Sequence, residues 1–331
     1  MCIRDRLEGS KVFSKKFMQD NKLPTADYKE FDDIEKAVYY VKSKKPPIVV
    51  KYDGLAAGKG VDVCESQDQA ESSIKNLLKP KEKIIVEDFI KGIELSSIYI
   101  CNPNASKKTI GLPWIKDYKS RDEYNSGPNT GGMGAITHPY CSFKKNDVYS
   151  LNTEIEKIII KTIVSINNSS GDQSNYNGFL YLGLMISTED NKPYLLEYNC
   201  RMGDPETQVV LSRLKNDFLD LLISCDNQNL DELEFEVDSN YFVNVVLASG
   251  GYPEKYEKGK VISGIDSVEG SVIFHAGTLK KNDEVYTNGG RVLSVVSTAP
   301  NLKEALKKSY KTISKIQFQG KTFRKDIGFD L

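Results

Sequence analysis

The sequence predicts an α+β chain in two domains, on three observations. Segments with helical period and segments with strand character follow one another along the whole chain. The 331 residues exceed one average core, since a domain typically runs about 100–200 residues. An acidic, polar stretch over 226–238 separates a long first part from a shorter part built of short strands and Gly-rich turns.

Residues 7–21 carry Val12, Phe13, Phe17 and Met18 at helical spacing, with Ser10 as the cap and Leu23-Pro24-Thr25 as the end. A second short helix is predicted over 33–42. Pro46-Pro47 breaks it, and Ile48-Val49-Val50-Lys51 begins a strand. The turn DGLAAGKG (53–60) and a strand over 61–64 complete a hairpin. A helix over 67–78 follows, then strands over 83–88 and 95–101. Residues 116–140 are polar and Gly-rich with no period, which predicts a long functional loop. The 147–168 segment has one apolar face from Val148 to Ile166 and reads as an amphipathic helix. Strands over 179–186 and 193–198 flank a turn at 188–191, and a helix is predicted over 206–224. Beyond 238, short strands over 241–248, at 261, over 272–276 and over 291–296 precede a closing helix over 302–316. The first six residues, MCIRDR, show neither periodicity nor a targeting pattern and read as a non-native leader.

Composition narrows the function. Forty-five basic and 46 acidic residues give a net charge of -1, so bulk electrostatics point to neither a nucleic-acid nor a membrane partner. No apolar run approaches the roughly 20 residues that span a bilayer. Six scattered cysteines with no CxxC pair, and only two histidines, argue against zinc and for reduced thiols in the cytoplasm. With so little histidine, chemistry must run on carboxylates, lysines, arginines, backbone amides or a metal.

Four segments carry that chemistry. In the 53–60 turn, Gly54, Gly58 and Gly60 let backbone N–H groups approach an anion, and Lys51 and Lys59 flank it. The spacing fits neither GxxxxGK[ST] nor a GxGxxG opening a helix, so a glycine hairpin over phosphates competes with a plain surface turn. Glu87 through Glu94 ends a strand at Glu87-Asp88-Phe89-Ile90. Its extended backbone could pair with an adenine edge and its last carboxylate with ribose hydroxyls, or its acids could simply be solvated. Glu197 and Asn199 share one face of a strand, oxygen ligands suited to Mg²⁺ bound with a substrate phosphate. Arg201, Gly203, Asp204, Pro205 and Glu206 then open a helix, whose N-terminus favours anions. Finally GPNTGGMG (127–134) sets Asn129 and Thr130 beside four glycines, able to wrap a phosphate or small carboxylate, or merely flexible.

Together these stretches resemble the glycinamide ribonucleotide synthetases, also called phosphoribosylamine–glycine ligases, of the ATP-grasp superfamily. The resemblance runs in order from LEGSK (7–11) through VK (50–51), DGLAAGKG, GPNTGGMG and EYNCRMGDPETQ (197–208). It continues in GGYP (250–253), FHAGT (274–278), TNGGRVL (287–293) and RKDIG (324–328). It implies an ATP-grasp fold, two α+β subdomains gripping ATP, over 7–235, with a lid over about 24–90. A small mixed α/β C-terminal domain over 236–331 follows. The implied reaction, an early step of purine synthesis, joins glycine to 5-phosphoribosylamine through glycyl phosphate, with ATP and Mg²⁺ or Mn²⁺ as cofactors. Lys11, Lys51, Gly58, Lys59 and Gly60 would face the phosphates, Glu87 and Ile90 the adenine, and Glu94 the ribose. Glu197 and Asn199 would hold the metal, and Asn129, Arg201 and Asp204 the acyl and glycine end. Fusion to, or association with, other purine-pathway enzymes is compatible with the family; a nucleic-acid or membrane partner is not.

The sequence departs from the family twice. Where the family has a QDHKR-like stretch it reads Lys116-Asp117-Tyr118-Lys119-Ser120, keeping Asp117 and Lys119. The family's leading Rossmann-like domain, with its Gly-rich phosphoribosylamine site, has no counterpart. That leaves two alternatives to the full reaction. One is an ATP-binding fragment with little turnover, its amine pocket reduced to Asn288–Arg291. The other is a different ATP-grasp carboxylate–amine ligase.

Overall fold

A computed structural model describes residues 3–54, 60–102, 109–137, 143, 145–169 and 176–331. The expectations at Gly58 and Lys59 lie outside them. The chain forms two compact units, interleaved in sequence. Unit one is Met1–Gly111, Lys144–Met202 and Ile223–Leu233; unit two is Leu112–Phe143, Gly203–Leu222 and Glu234–Leu331.

In chain order the first part contains α1 (Ile3–Gly9), α2 (Lys11–Asp20), β1 (Tyr28–Phe31), α3 (Ile34–Lys42), β2 (Ile48–Tyr52), β3 (Val61–Cys64), α4 (Gln67–Leu77) and β4 (Ile84–Asp88). Next come β5 (Gly92–Cys101), β6 (Ile110–Gly111), β7 (Ile115–Asp117), β8 (Gly134–Thr137), α5 (Lys145–Ser169), β9 (Gly178–Ser187) and β10 (Pro193–Asn199). The remainder holds α6 (Glu206–Arg213), α7 (Phe218–Asp226), β11 (Tyr241–Ser249), β12 (Val261–Ile262), β13 (Ser271–His275), β14 (Thr278–Lys281), β15 (Glu284–Thr287), β16 (Arg291–Ala299), α8 (Leu302–Lys315) and β17 (Lys321–Thr322).

Unit one holds two antiparallel sheets. The first, in the order β1-β4-β2-β3, buries Ile48, Val50, Ile84 and Val86 against Val41 of α3 and Ile74 of α4. Both helices start on side-chain caps, Asp33 to the Lys36 amide and Ser66 to the Gln69 amide. In the second, β10 pairs with β9, β9 with β5 and β5 with β6. Tyr198 of β10 anchors two helices on it: its ring meets Phe17 of α2 edge-on at 6.2 Å, and its hydroxyl lies 2.9 Å from Thr162 Oγ1 of α5. Register breaks between Leu195 and Glu197, so Leu196 bulges out and Glu197 pairs with Gly183.

Unit two pairs β7 with β8, β8 with β11, β11 with β16 and β16 with β13, all antiparallel. The amphipathic α8, capped by Asn301, packs on β11 and β16 through Ala305 and Ile313. A small sheet, β12-β15-β14, is separate.

The structure corrects two expectations from sequence. The helix predicted over 206–224 is two helices, because Leu214 turns extended and bridges to Val237. Asn216 holds the break, donating to the Glu234 carbonyl and accepting from the Glu236 amide. Residues 116–137 are not a structureless loop but a paired ribbon that includes β7 and β8. Ahead of α2, helix α1 sets the Arg6 guanidinium 3.8 Å from the centre of the Phe13 ring.

Candidate active site

Within unit one, α2 meets the base of the glycine turn. Ser10 caps α2 at the Phe13 amide and also donates to Asp53 Oδ1 at 3.0 Å, which accepts from the Val12 amide at 3.1 Å. Lys11 Nζ donates to the Gly54 carbonyl at 2.8 Å. Gly54 sits at φ 152°, and a Cβ there would lie 2.7 Å from the Tyr52 ring, so the turn needs glycine at this position. Burial lowers the Lys11 pKa, against the pull of the nearby Glu197 carboxylate. Lys11 thus stands at the entry to the 53–60 segment within electrostatic reach of Glu197, and Gly60 accepts from the Tyr52 amide at 2.8 Å.

Lys51, on β2, pairs with Glu87 Oε2 of β4 at 2.9 Å and lies 3.5 Å from the Leu196 carbonyl. Glu87 is buried, its side chain 2% exposed. Its Oε1 stands 3.2 Å from Lys15 Nζ, within ion-pair reach, but no donor among the described residues makes a well-aligned hydrogen bond to it. Ile90 is half-buried just beyond β4, and Glu94, also half-buried, lies opposite Met185 in β5.

Glu197 reaches over Gly183, where a Cβ would stand 2.9 Å from its Cγ. Among the described residues its carboxylate makes no hydrogen bond or ion pair. Asn199, two residues on, accepts from Arg201 through Oδ1 at 3.4 Å. One unpaired carboxylate and one amide oxygen on one strand face suit a hard cation that keeps water and phosphate ligands. Arg201 Nε pairs with Glu8 Oε1 at 2.8 Å, while Glu8 Oε2 takes the Cys200 amide at 3.0 Å. The LEGSK stretch thus anchors the start of the RMGDPE turn as well as the glycine turn.

In unit two the GPNTGGMG segment is held backbone to backbone against residues 118–121. Arg121 N donates to the Pro128 carbonyl, Thr130 N to Lys119, Met133 N to Tyr118 and Tyr118 N to Gly134, at 2.8–3.0 Å. Asn129 bridges to Ser120 in this ribbon. Arg291 closes its far side: Nη1 donates to the carbonyls of Gly131 at 2.7 Å and Asp204 at 2.6 Å, and Nη2 to Asp204 Oδ2 at 2.9 Å. Gln208 donates to the other Asp204 oxygen at 2.9 Å, and Asn244 donates to the Pro205 carbonyl at 3.0 Å. Asn129 and Asp204 therefore belong to one hydrogen-bonded frame in unit two, while Arg201 belongs to unit one.

Gly132 lies at φ 116°, and a Cβ there would fall 2.3 Å from Pro205 Cδ. Gly132→Ala is expected to destabilise the protein by about 2–4 kcal/mol, from a left-handed backbone plus an overpacked contact, read as a lowered Tm. A Tm unchanged within a degree would mean the ribbon is not locked here.

Lys116 and Tyr118, two of the three residues that depart from the QDHKR pattern, share Asp330 as a partner. Lys116 Nζ pairs with Asp330 Oδ2 at 2.7 Å, and the Tyr118 hydroxyl donates to Asp330 Oδ1 at 3.0 Å. Burial raises the Tyr118 pKa further above its usual value, so the phenol stays a neutral donor. Arg324 stacks 5.2 Å from the Tyr118 ring centre and forks onto Asp326 at 2.9 and 2.7 Å. These contacts tie residues 324–330 to the ribbon.

Sequence reasoning missed Lys15, Arg291's hold on Asp204, and Glu8. The signal for Lys15 was present: it lies four residues after Lys11, on the same helix face.

The fold is the ATP-grasp fold. A crystal structure of phosphoribosylamine–glycine ligase from Thermotoga maritima matches with a TM-score of 0.84 at 35% identity, covering 97% of this chain and 79% of that one. The MgADP-bound biotin carboxylase domain of Hydrogenobacter thermophilus 2-oxoglutarate carboxylase shares the fold alone. Its TM-score is 0.69 at 14% identity over 96% of this chain and 68% of that one. The chain belongs to the phosphoribosylglycinamide synthetase family, whose ATP-grasp (A) domain matches residues 9–207 and whose C domain matches 242–330. Phosphoribosylamine–glycine ligases of Vibrio vulnificus (strain CMCP6) and Escherichia coli (strain K12) are 38% and 39% identical, each over 98% of this chain and 75% of the relative. No helix among the described residues is long and apolar enough to cross a membrane.

Proposed function

We propose that the chain is an ATP-dependent carbon–nitrogen ligase that joins glycine to 5-phosphoribosylamine in purine biosynthesis. A glycine carboxylate oxygen attacks the γ-phosphorus of ATP and ADP leaves. The amine nitrogen then attacks the carbonyl carbon of glycyl phosphate, phosphate leaves with that oxygen, and the nitrogen loses a proton. The carboxylate needs this activation because oxide is not a viable leaving group. The protein's part is positioning and charge neutralisation, as in phosphoryl transfer generally, which suits a chain with two histidines.

The observation that carries the reading is the grouping of Lys11, Lys51, Glu87 and Glu197 at the foot of the glycine turn. Lys11 and Lys51 would bear on the phosphates, with Lys59, Gly58 and Gly60 completing the hairpin. Glu87 and the backbone near Ile90 would take adenine, and Glu94 the ribose. Glu197 and Asn199 would hold Mg²⁺ or Mn²⁺, which when bound neutralises phosphate charge. Arg201, Asn129 and Asp204 would serve the acyl and glycine end. The free thiols Cys64, Cys101, Cys200 and Cys225 and the near-zero net charge support a cytoplasmic enzyme acting on small molecules.

A coupled assay of ADP release tests this. Release that requires glycine and phosphoribosylamine together supports the ligase. Release indifferent to glycine, or faster with another carboxylate, overturns it. Tight ATP binding with no turnover on all three substrates would favour a nucleotide-binding fragment instead.

A further inference from the structure

Glu87 lies between two lysines, though one would neutralise it. Its carboxylate has Lys51 on one oxygen and Lys15 on the other, and side-chain exposures are 2% for Lys15, 8% for Lys51 and 2% for Glu87. Lysine is almost never this buried unless it is paired, and removing charges from water is costly unless geometry and hydrogen bonds compensate. Lys15 is held in place: Nζ donates to Thr25 Oγ1 at 2.6 Å, and Thr25 Oγ1 donates to the Leu195 carbonyl at 2.7 Å. That chain ends on β10, next to the bulge that precedes Glu197. Lys15 is held on the Glu87 carboxylate and on Thr25, with its side chain buried.

We propose that Lys15 is a positioning residue for nucleotide recognition: braced by Thr25, it neutralises Glu87 and fixes its plane, leaving the Lys51 ammonium for the nucleotide. The inference rests on the proposal that Glu87 takes adenine, and specifies that its carboxylate accepts from the adenine amino group. Without Lys15, Lys51 becomes the sole counter-charge of a buried carboxylate, so phosphate and Glu87 compete for one cation. Glu87 Oε1, now lacking a well-aligned donor, would also lose the charge that holds it.

The arrangement also predicts a pH dependence. Burial, partly offset by Glu87, lowers the Lys15 pKa to about 8. The ionisable groups facing it are Glu87 on β4, Lys51 on β2 and Tyr28 on β1, its ring centre 6.0 Å away. The Tyr28 phenol is raised by burial and stays neutral through this range. Lys15 is therefore charged below about 8 and neutral above, and ATP affinity falls as pH rises through that value.

The test is calorimetric titration of the full chain with ATP and with inosine triphosphate, which lacks the amino group, from pH 7 to 9. The parent, Lys15→Met, Lys15→Arg and Glu87→Gln are compared. Lys15→Met is expected to weaken ATP about 10–100-fold and to narrow the preference for ATP over inosine triphosphate. Lys15→Arg keeps the charge at every pH, so it should retain the preference and flatten the pH profile. If Glu87→Gln loses the preference but Lys15→Met matches the parent in affinity, preference and pH profile, the inference is overturned while the adenine reading stands. If Glu87→Gln matches the parent on both nucleotides, the adenine reading itself fails. Should Lys15→Met not fold, the parent decides: an ATP affinity flat across pH 8 overturns the proposal.

Discussion

Glu197→Gln is expected to lower turnover by about 10²–10³-fold, the scale on which one preorganised electrostatic contact acts, while leaving the Tm nearly unchanged. The side chain is half-buried and makes no hydrogen bond or ion pair among the described residues, so the fold does not depend on its charge. Its charge acts on Lys11, favouring the ammonium form against burial. Removing the carboxylate leaves Asn199 as a neutral ligand and the Lys11 charge unbalanced. ATP should still bind, but its affinity should respond less to added Mg²⁺. The measurement is a Mg²⁺ titration of ATP binding beside the ADP-release assay. Undiminished phosphoryl transfer would remove Glu197 from the metal site.

Lys51→Ala is expected to weaken ATP by about 10–100-fold, the effect of losing a charge-assisted partner worth roughly 1.5–3 kcal/mol. Two losses combine, because Lys51 also pairs with Glu87 Oε2 at 2.9 Å. Lys15 remains to neutralise Glu87, so the variant should fold. Glu94→Ala should have the smaller effect, since hydroxyl contacts to a ribose carry less than a cation over phosphates. Equal affinities in the parent, Lys51→Ala and Glu94→Ala would mean the nucleotide lies elsewhere.

Much of the fold was legible because local signals and tertiary structure agree. Helix α3 starts on Asp33, α4 on Ser66 and α8 on Asn301, and each shows one apolar face. What escaped sequence reading was long-range. β8 looked like loop because GPNTGGMG has no apolar alternation; backbone pairing with residues 118–121 and β11 orders it. The break at Leu214 is set by residues about 20 positions away, Glu234 to Val237, which no helical window contains. The site divides the same way. Lysines and carboxylates near glycines announce anion and metal chemistry by type. The partnerships Lys15–Glu87, Arg201–Glu8 and Arg291–Asp204 span 72, 193 and 87 positions and follow from topology alone.

The central claim, activation of glycine as an acyl phosphate, is tested most directly by oxygen tracing. The chain is incubated with MgATP, glycine labelled with ¹⁸O at both carboxyl oxygens, and hydroxylamine in place of phosphoribosylamine, which separates the activation step from the amine site. The expected products are glycine hydroxamate and inorganic phosphate carrying one ¹⁸O per molecule, because the oxygen that attacked phosphorus leaves with it. Unlabelled phosphate, released whether or not glycine is present, would show water attacking ATP and would contradict the ligase mechanism.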